Sequence, residues 1–398
     1  MNPNIQRLSV ISAKDSRLIL GLMSGTSLDG LDLALCAISG NGLTTKVTLR
    51  HFDTVPYHEG FKDAIRKVFA QTRVDFPYLT LLNHHIAGEH AKMISHFLEK
   101  YRIPASEVDL IASHGQTVMH VPDNKLHFPG TTKATLQIGD GDRIAVDTGI
   151  ITISDFRQKH VAAGGEGAPL AVYGDYLLNQ SRDHNVILLN IGGIANFTFI
   201  PEHQEFKDVF VSDTGPGNTL MDAWMSKYLH LPYDENGYIA ARGKVHQILL
   251  QRLKAHPFFS KAFPKSTGPE DFNITYVEDA LHSITGYKTI THEDIMATLA
   301  QLAAESIAEG IRHIAGGSTA GIYLSGGGAH NLVLVSRLRD LLPAFHMGVS
   351  QDTGIPGDAK EAIIFAVLAN ETVAGHPDTF KENALIPAVT MGKISFPR

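Results

Sequence analysis

The chain has 398 residues, 43% apolar and 19% charged, with 34 Lys and Arg against 41 Asp and Glu for a net charge of −7. That length exceeds one ordinary core and predicts two to three domains, while the acidic balance argues against nonspecific nucleic-acid binding, which needs a basic face. The single cysteine, Cys36, excludes an intramolecular disulfide framework and a cysteine-cluster zinc site.

Residues 1–17 read as a loosely ordered extension with no secretory hydrophobic region. No apolar run reaches the ~18 residues of a membrane span, so a cytoplasmic protein without membrane contact is expected. Two apolar strands follow, 18–23 and 31–38, flanking SGTSLDG (24–30). Glycines and hydroxyls in such a turn make a nest of backbone N–H groups suited to phosphate. Asp29 and Asp32 beside it make sense if they hold a divalent cation. A plain Asp-Gly hairpin without a ligand accounts for these residues equally well.

A third strand is expected at 44–57, then helices at 61–72 and 78–102. The short strand 108–112 runs into a turn at 113–117, where His114 and Gln116 are placed to bond sugar hydroxyls or simply to satisfy the turn. Strands 135–138 and 150–154 follow, with a glycine-aspartate turn and a short helix between them. Arg157, after the second, suits a carboxylate or phosphate held bidentately, or a local pair with Asp155. The glycine-rich stretch 160–171 has the composition of a domain junction. It divides lobe I (18–160) from lobe II (161–398), with a C-terminal segment free to return to lobe I.

The opening pattern then recurs. Strand 186–190, a glycine turn at 191–195 and strand 196–200 are followed by strand 207–212 and a helix from Asn218. A long helix spans 293–314, capped by Thr291 and ended by Gly316-Gly317. Strand 321–324, the turn Ser325-Gly326-Gly327-Gly328 and helix 331–341 come next, and a final helix at 360–374 follows a turn at 354–358. Each half thus reads strand, glycine turn, strand, strand, then helix, strand, turn, helix. That repetition predicts two α/β lobes of similar topology with a ligand in the cleft between them. No turn completes a P-loop or a dinucleotide fingerprint, which leaves hairpin turns as the phosphate grip. Asp213, after a strand and before a helix, reads equally as a general base or as a cap. The histidines at 84, 85 and 90 lack zincin spacing, and no nucleophile elbow is present.

Eight motifs in order carry a resemblance: GLMSGTSLDGLD (21–32), SHGQT (113–117), SDFR (154–157), AAGGEGAPL (162–170), LNIGGIANFT (189–198), DTGPGN (213–218), PKSTG (264–268) and SGGGAHN (325–331). Together they resemble the anhydro-N-acetylmuramic acid kinases of the sugar kinase/Hsp70/actin superfamily. The resemblance implies a two-lobed actin-like ATPase (ribonuclease H-like) fold, each lobe a mixed sheet flanked by helices, with the active site in the interlobe cleft. It implies a bacterial peptidoglycan-recycling kinase that takes 1,6-anhydro-N-acetylmuramic acid, ATP and water to N-acetylmuramic acid 6-phosphate. Ring opening by water and phosphorylation of O6 are coupled in such enzymes. Asp213 would be the base for the attacking water.

By the same resemblance, Gly25, Thr26, Ser27, Leu28, Asp29, Gly30, Leu31 and Asp32 form the first ATP-phosphate turn. Asn190, Gly192 and Gly193 form the second, and Gly326, Gly327, Gly328 and Asn331 the adenosine-side turn. Arg157, Glu361 and His114 are expected at the sugar, and Mg²⁺ at Asp29 and Asp32. The partners implied are ATP and a small sugar, with a homodimer compatible. Two positions depart from the family pattern: His160 stands where an acidic residue is usual, and Glu166 makes GGEG of the usual GGQG. A nucleotide switch or a phosphohydrolase of the same superfamily is the alternative.

Overall fold

The computed structural model describes residues 1–121, 129–130, 133–179, 184–202, 205–268, 270–349, 355–380 and 386–398; Gly354 of the expected turn before the last helix lies outside them. In chain order the strands are β1 (Ser16–Ser24), β2 (Gly30–Ser39), β3 (Lys46–Pro56), β4 (Leu110–Val121), β5 (Ala134–Ile138), β6 (Ile151–Ser154), β7 (Asn185–Ile191), β8 (Ile194–Ile200), β9 (Phe210–Pro216), β10 (Ala320–Ser325), β11 (His346–Val349) and β12 (Lys393–Ser395). The chain divides into two units. The first is Met1–Ser181, Glu205–Lys207 and Asp358–Arg398, and the second Arg182–Gln204 and Asp208–Gly357.

In the first unit, β1 runs antiparallel to β2 and β2 to β3, while β4 lies parallel to β1 and β6 parallel to β4. Strands β5 and β12 are added to β4 and β6. Strand β1 is buried on both faces, with Ile19, Leu20 and Leu22 in the core. One face is covered by the helix Phe76–Tyr101 through Ile86, Ile94 and Phe97. The other is covered by the helix Lys360–Ala374, which is apolar nearly all round and so reads as a buried element. Gly21 is required at that contact, because a Cβ there would lie 1.9 Å from the Ala362 carbonyl oxygen.

The second unit repeats the order. Strand β7 is antiparallel to β8 and β8 to β9, with β10 parallel to β7 and β11 parallel to β10. In both sheets the opening strand is central, with its two meander partners on one side and two parallel strands on the other. This duplicated α/β topology, each mixed sheet flanked by helices, is the actin-like ATPase fold. The helix His292–Ala315 supplies the second core through Ile295, Leu299, Leu302, Ile307 and Ile311, which cluster with Leu189 and Phe197. Thr291 caps its start and Gly316, at φ 55°, its end, as the sequence pattern predicts.

Four local differences have physical causes. Residues 3–12 form a helix, opened by the Asn2 side chain, and the buried Arg17 behind it donates to the carbonyls of Ile11, Ser12, Lys14 and Gly40 and to Asn370. The segment 113–117 is not a turn: β4 runs through it, because β5 pairs with its second half. The strand expected at 207–212 falls at Phe210–Pro216, since Phe206–Asp208 forms a short helical turn whose Phe206 packs on Tyr173, Tyr176 and Phe380, all within the first unit. The glycine-rich stretch, read as the boundary at 160/161, lies inside the first unit. The helix beyond it, Ala171–Asn179, packs on the last helix through Gly174 against Ile364, and Asp175 pairs with Lys360 at 2.9 Å.

Candidate active site

The turn between β1 and β2 starts from Ser24, whose buried hydroxyl donates to Gln116 Oε1 at 2.6 Å. Thr26, Ser27 and Asp29 are exposed. Leu28 and Leu31 point their side chains into the core and can offer a ligand only backbone. Leu28 sits at φ 60°, a left-handed conformation that costs a residue with a Cβ roughly 1–2 kcal/mol and persists only where its surroundings enforce it. The two glycines differ. A Cβ on Gly30 would lie 2.4 Å from the Val55 carbonyl oxygen, so close strand pairing accounts for that residue. A Cβ on Gly25 would meet only Ser27 Oγ at 3.6 Å, leaving its face open.

Asp32 is half-buried at the start of β2, and its Oδ1 accepts a 2.6 Å hydrogen bond from Thr54. Burial raises its carboxyl above the usual range, and the charges of Asp358 and Asp29 add to the rise. Carboxylates that disfavour one another beside this glycine turn fit a hydrated Mg²⁺, which takes one or two carboxylates and fills its other positions with water and phosphate oxygen.

Further along the same sheet, His114 and Arg157 are joined. His114 is buried, and its Nε2 accepts from Arg157 Nε at 2.9 Å; Arg157 also donates to the Gly167 carbonyl at 2.6 Å. Burial, and then the neighbouring guanidinium, lower the imidazole to about 3, so the ring is neutral and orients the arginine. Arg157 feels the charge of Glu361 at the first turn of the last helix. The Glu361 carboxyl stays in contact with solvent yet is hemmed in by protein, which raises it, against the pull of Arg157 and Lys360. His160 is buried too, and its Nδ1 accepts from Gly167 N at 2.9 Å. It thereby holds the loop whose carbonyl receives Arg157. Glu166 is exposed and pairs with Lys133 at 2.9 Å.

In the second unit the three glycine segments pack together. A Cβ on Gly326 would lie 2.6 Å from Asn190 Oδ1, one on Gly328 2.2 Å from Ile191 Cγ2, and one on Gly217 2.3 Å from the Gly192 carbonyl oxygen. A Cβ on Gly193 would press on Thr219 Oγ1, while Gly327 meets only Asn218 Nδ2 at 3.6 Å. Most of these glycines are therefore spacing residues, while Gly327 and Gly192, whose Cβ would meet nothing closer than the Ile194 carbonyl oxygen at 3.4 Å, are the open ones. Asn331 is buried and caps the helix Leu332–Leu341 by accepting from Leu334 N at 3.1 Å.

Asp213 lies within β9 opposite Asn196, next to a bulge at Ala195/Asn196. Its Oδ2 accepts from Thr267 N at 2.9 Å and from Ser266 Oγ at 3.2 Å, and its own N–H donates to the Lys265 carbonyl at 2.9 Å. Burial lifts the carboxyl above the usual range, and the two hydrogen bonds to its charged form oppose the lift. The loop 265–267 is thus part of the site. Sequence reasoning recorded it only as the motif PKSTG and gave it no role.

A duplicated fold of this order, with a glycine turn after the opening strand of each half, is that of the ATP-dependent sugar kinases and actin-like ATPases. The profile of the anhydro-N-acetylmuramic acid kinase family matches residues 17–394. Proteins of that name from Pseudoalteromonas atlantica and Pseudoalteromonas translucida are 50% and 47% identical over 404 and 402 residues, covering 100% of both chains in each pair. One from Clostridioides difficile is 38% identical over 356 residues, 89% of this chain and 91% of the relative. Among solved structures, the activator of the 2-hydroxyisocaproyl-CoA dehydratase from Clostridium difficile with bound ADPNP aligns over 90% of this chain and 96% of its own, at 11% identity and a TM-score of 0.41. The chain belongs to the anhydro-N-acetylmuramic acid kinase family, and its activity is the ATP-dependent phosphorylation of that sugar in peptidoglycan recycling.

Proposed function

We propose that Asp213 is the general base of the reaction. It takes a proton from water as the water oxygen bonds to C1 of the anhydro sugar; the C1–O6 bond breaks, and O6 attacks the γ-phosphorus of ATP. ADP leaves, and N-acetylmuramic acid 6-phosphate remains. The observation that carries this reading is the Asp213 carboxylate, lifted by burial towards a base's working range yet held in one orientation by Thr267 N–H and Ser266 O–H.

The open faces of Gly25, Gly192 and Gly327 leave room for backbone to approach phosphate, and Asp32, with Asp29 and Asp358 near it, would hold Mg²⁺. When bound, that ion neutralises charge on the transferring phosphoryl group. Arg157, its plane set by His114 and the Gly167 carbonyl, suits the carboxylate of the muramic acid, and Glu361 can accept from a sugar hydroxyl. Asn331 acts through the helix it caps. The setting is the bacterial cytoplasm, where ATP is available, and the partners are small molecules, with the chain alone or as a homodimer.

The test uses purified protein with 1,6-anhydro-N-acetylmuramic acid, N-acetylmuramic acid and glucose in ¹⁸O-labelled water. Label at C1 of the product from the anhydro sugar alone is expected. Asp213→Asn should lower turnover by roughly 10²–10⁴-fold while leaving nucleotide affinity unchanged. Turnover retained in that variant would remove Asp213 from the mechanism.

A further inference from the structure

We infer that Tyr57 and His90 are positioning residues for the nucleotide: they head a one-way relay of buried hydrogen bonds that fixes the 24–30 turn. The inference rests on reading that turn as the phosphate grip. Neither residue carries a role in any motif above. The sequence makes His90 one of three histidines along a helix and Tyr57 the end of the third strand.

The four side chains of the relay, Tyr57, His90, Ser24 and Gln116, are each at most 4% exposed. His90 Nε2 lies 2.8 Å from Tyr57 Oη, Tyr57 Oη lies 2.9 Å from Ser24 Oγ, and Ser24 Oγ lies 2.6 Å from Gln116 Oε1. Gln116 Nε2 is 3.2 Å from both the Gly25 and the Thr117 carbonyl oxygens. Those two carbonyls set the direction, because they can only accept. Gln116 must turn its amide N–H₂ to them and its Oε1 to Ser24. Ser24 then spends its one hydrogen on Gln116 and accepts from Tyr57. Tyr57 spends its own on Ser24 and must accept in turn, so His90 carries its proton on Nε2. His90 Nδ1 is buried and has no hydrogen-bond partner among the described residues, as the bare nitrogen of that tautomer would. Burial lowers this imidazole to about 4, which keeps it neutral at pH 7.

Every hydrogen in the relay is used once, from the helix Phe76–Tyr101 through to the backbone of Gly25. Tyr57 also reaches the far end of the turn, where its N–H donates to the Asp29 carbonyl at 3.1 Å. One residue therefore ties both ends of a turn that contains a left-handed leucine, and such a conformation survives only when over-determined. A nest of amides stabilises an anion in proportion to how little it must rearrange. The relay is what keeps it from rearranging.

Tyr57→Phe removes the middle of the relay at nearly constant volume. The expected result is a KM for ATP raised about tenfold, the KM for the anhydro sugar unchanged, and only the modest fall in urea midpoint that one unpaired buried donor, His90 Nε2–H, brings. Gly25→Ala tests the phosphate reading itself, since its methyl would occupy the open face. If Gly25→Ala raises the ATP KM and Tyr57→Phe does not, the relay inference fails alone; if neither does, the phosphate reading fails with it. A Tyr57→Phe effect on both substrates equally, or a large drop in the urea midpoint, makes the residue merely structural and overturns the inference. Should that variant not fold, ¹⁵N shifts of the His90 ring in the intact protein decide. The relay requires Nε2–H with a bare Nδ1 at pH 7, and the opposite tautomer sinks it.

Discussion

Asp213 is raised by burial and lowered by two hydrogen bonds, and the balance of those effects can be read from kinetics. A base works in its ionised form, so activity is lost as pH falls through its pKa. Ser266→Ala removes a donor that favours the charged form and leaves the Thr267 N–H in place. The acid limb of kcat/KM should therefore move to higher pH in the variant, with the plateau rate close to wild type. A limb that stays put, or moves down, would mean that another group sets it. This residue pair also shows what a sequence conceals. Asp213 and Ser266 are 53 positions apart, and only the packing of loop 265–267 on β9 joins them. His90 is the same case: periodicity placed it on a helix, but the tyrosine it bonds to lies 33 positions away.

At the scale of elements, the parts legible in the sequence were those set by local rules. The long helices, their caps and the strand–glycine turn–strand repeats follow from periodicity and punctuation, and the final helix falls at Lys360–Ala374 as expected. What was not legible depended on partners. Strand β4 continues through SHGQT because β5 covers it, and β12 pairs with β6, some 240 positions away in the chain. Glycine was the most misleading residue, since a spacing glycine and a ligand-facing one look alike in a sequence. Stability measurements separate the two. Gly21→Ala would drive a methyl into the Ala362 carbonyl and push the last helix off β1. It should lower stability by about 1–3 kcal/mol, seen as a fall in the urea midpoint. Gly25→Ala meets nothing closer than 3.6 Å and should leave that midpoint within about 0.5 kcal/mol of wild type. Equal loss in both would mean that the two glycines do not differ in kind.

Over the whole molecule, two sets of buried groups pull the pH dependence of stability in opposite directions. His90, His114 and His160 are held neutral, lowered to about 4, 3 and 4 from an ordinary value of 6.5. The unfolded chain therefore takes up their protons first. Their contribution is fully present above pH 6.5 and is lost as pH falls towards 4. The carboxyls of Asp175, Asp213, Glu361 and Glu371, hemmed in by protein to differing degrees, are raised, so the folded chain takes up their protons first, and they offset that loss. The net curve mixes the two sets, but a single histidine can be isolated by difference. His160→Gln keeps an acceptor for the Gly167 N–H and removes the titrating ring. Relative to wild type, the variant should gain stability as pH drops from 6.5 towards 4, at a rate approaching about 1.4 kcal/mol per pH unit, and should show no trend above pH 7. Urea midpoints at four or five pH values measure this. Parallel curves for the two proteins would mean that His160 takes up its proton in the fold at the same pH as in the unfolded chain. In that case burial would not keep the ring neutral, and below pH 6.5 the loop that presents the Gly167 carbonyl to Arg157 would be held by something other than a neutral imidazole.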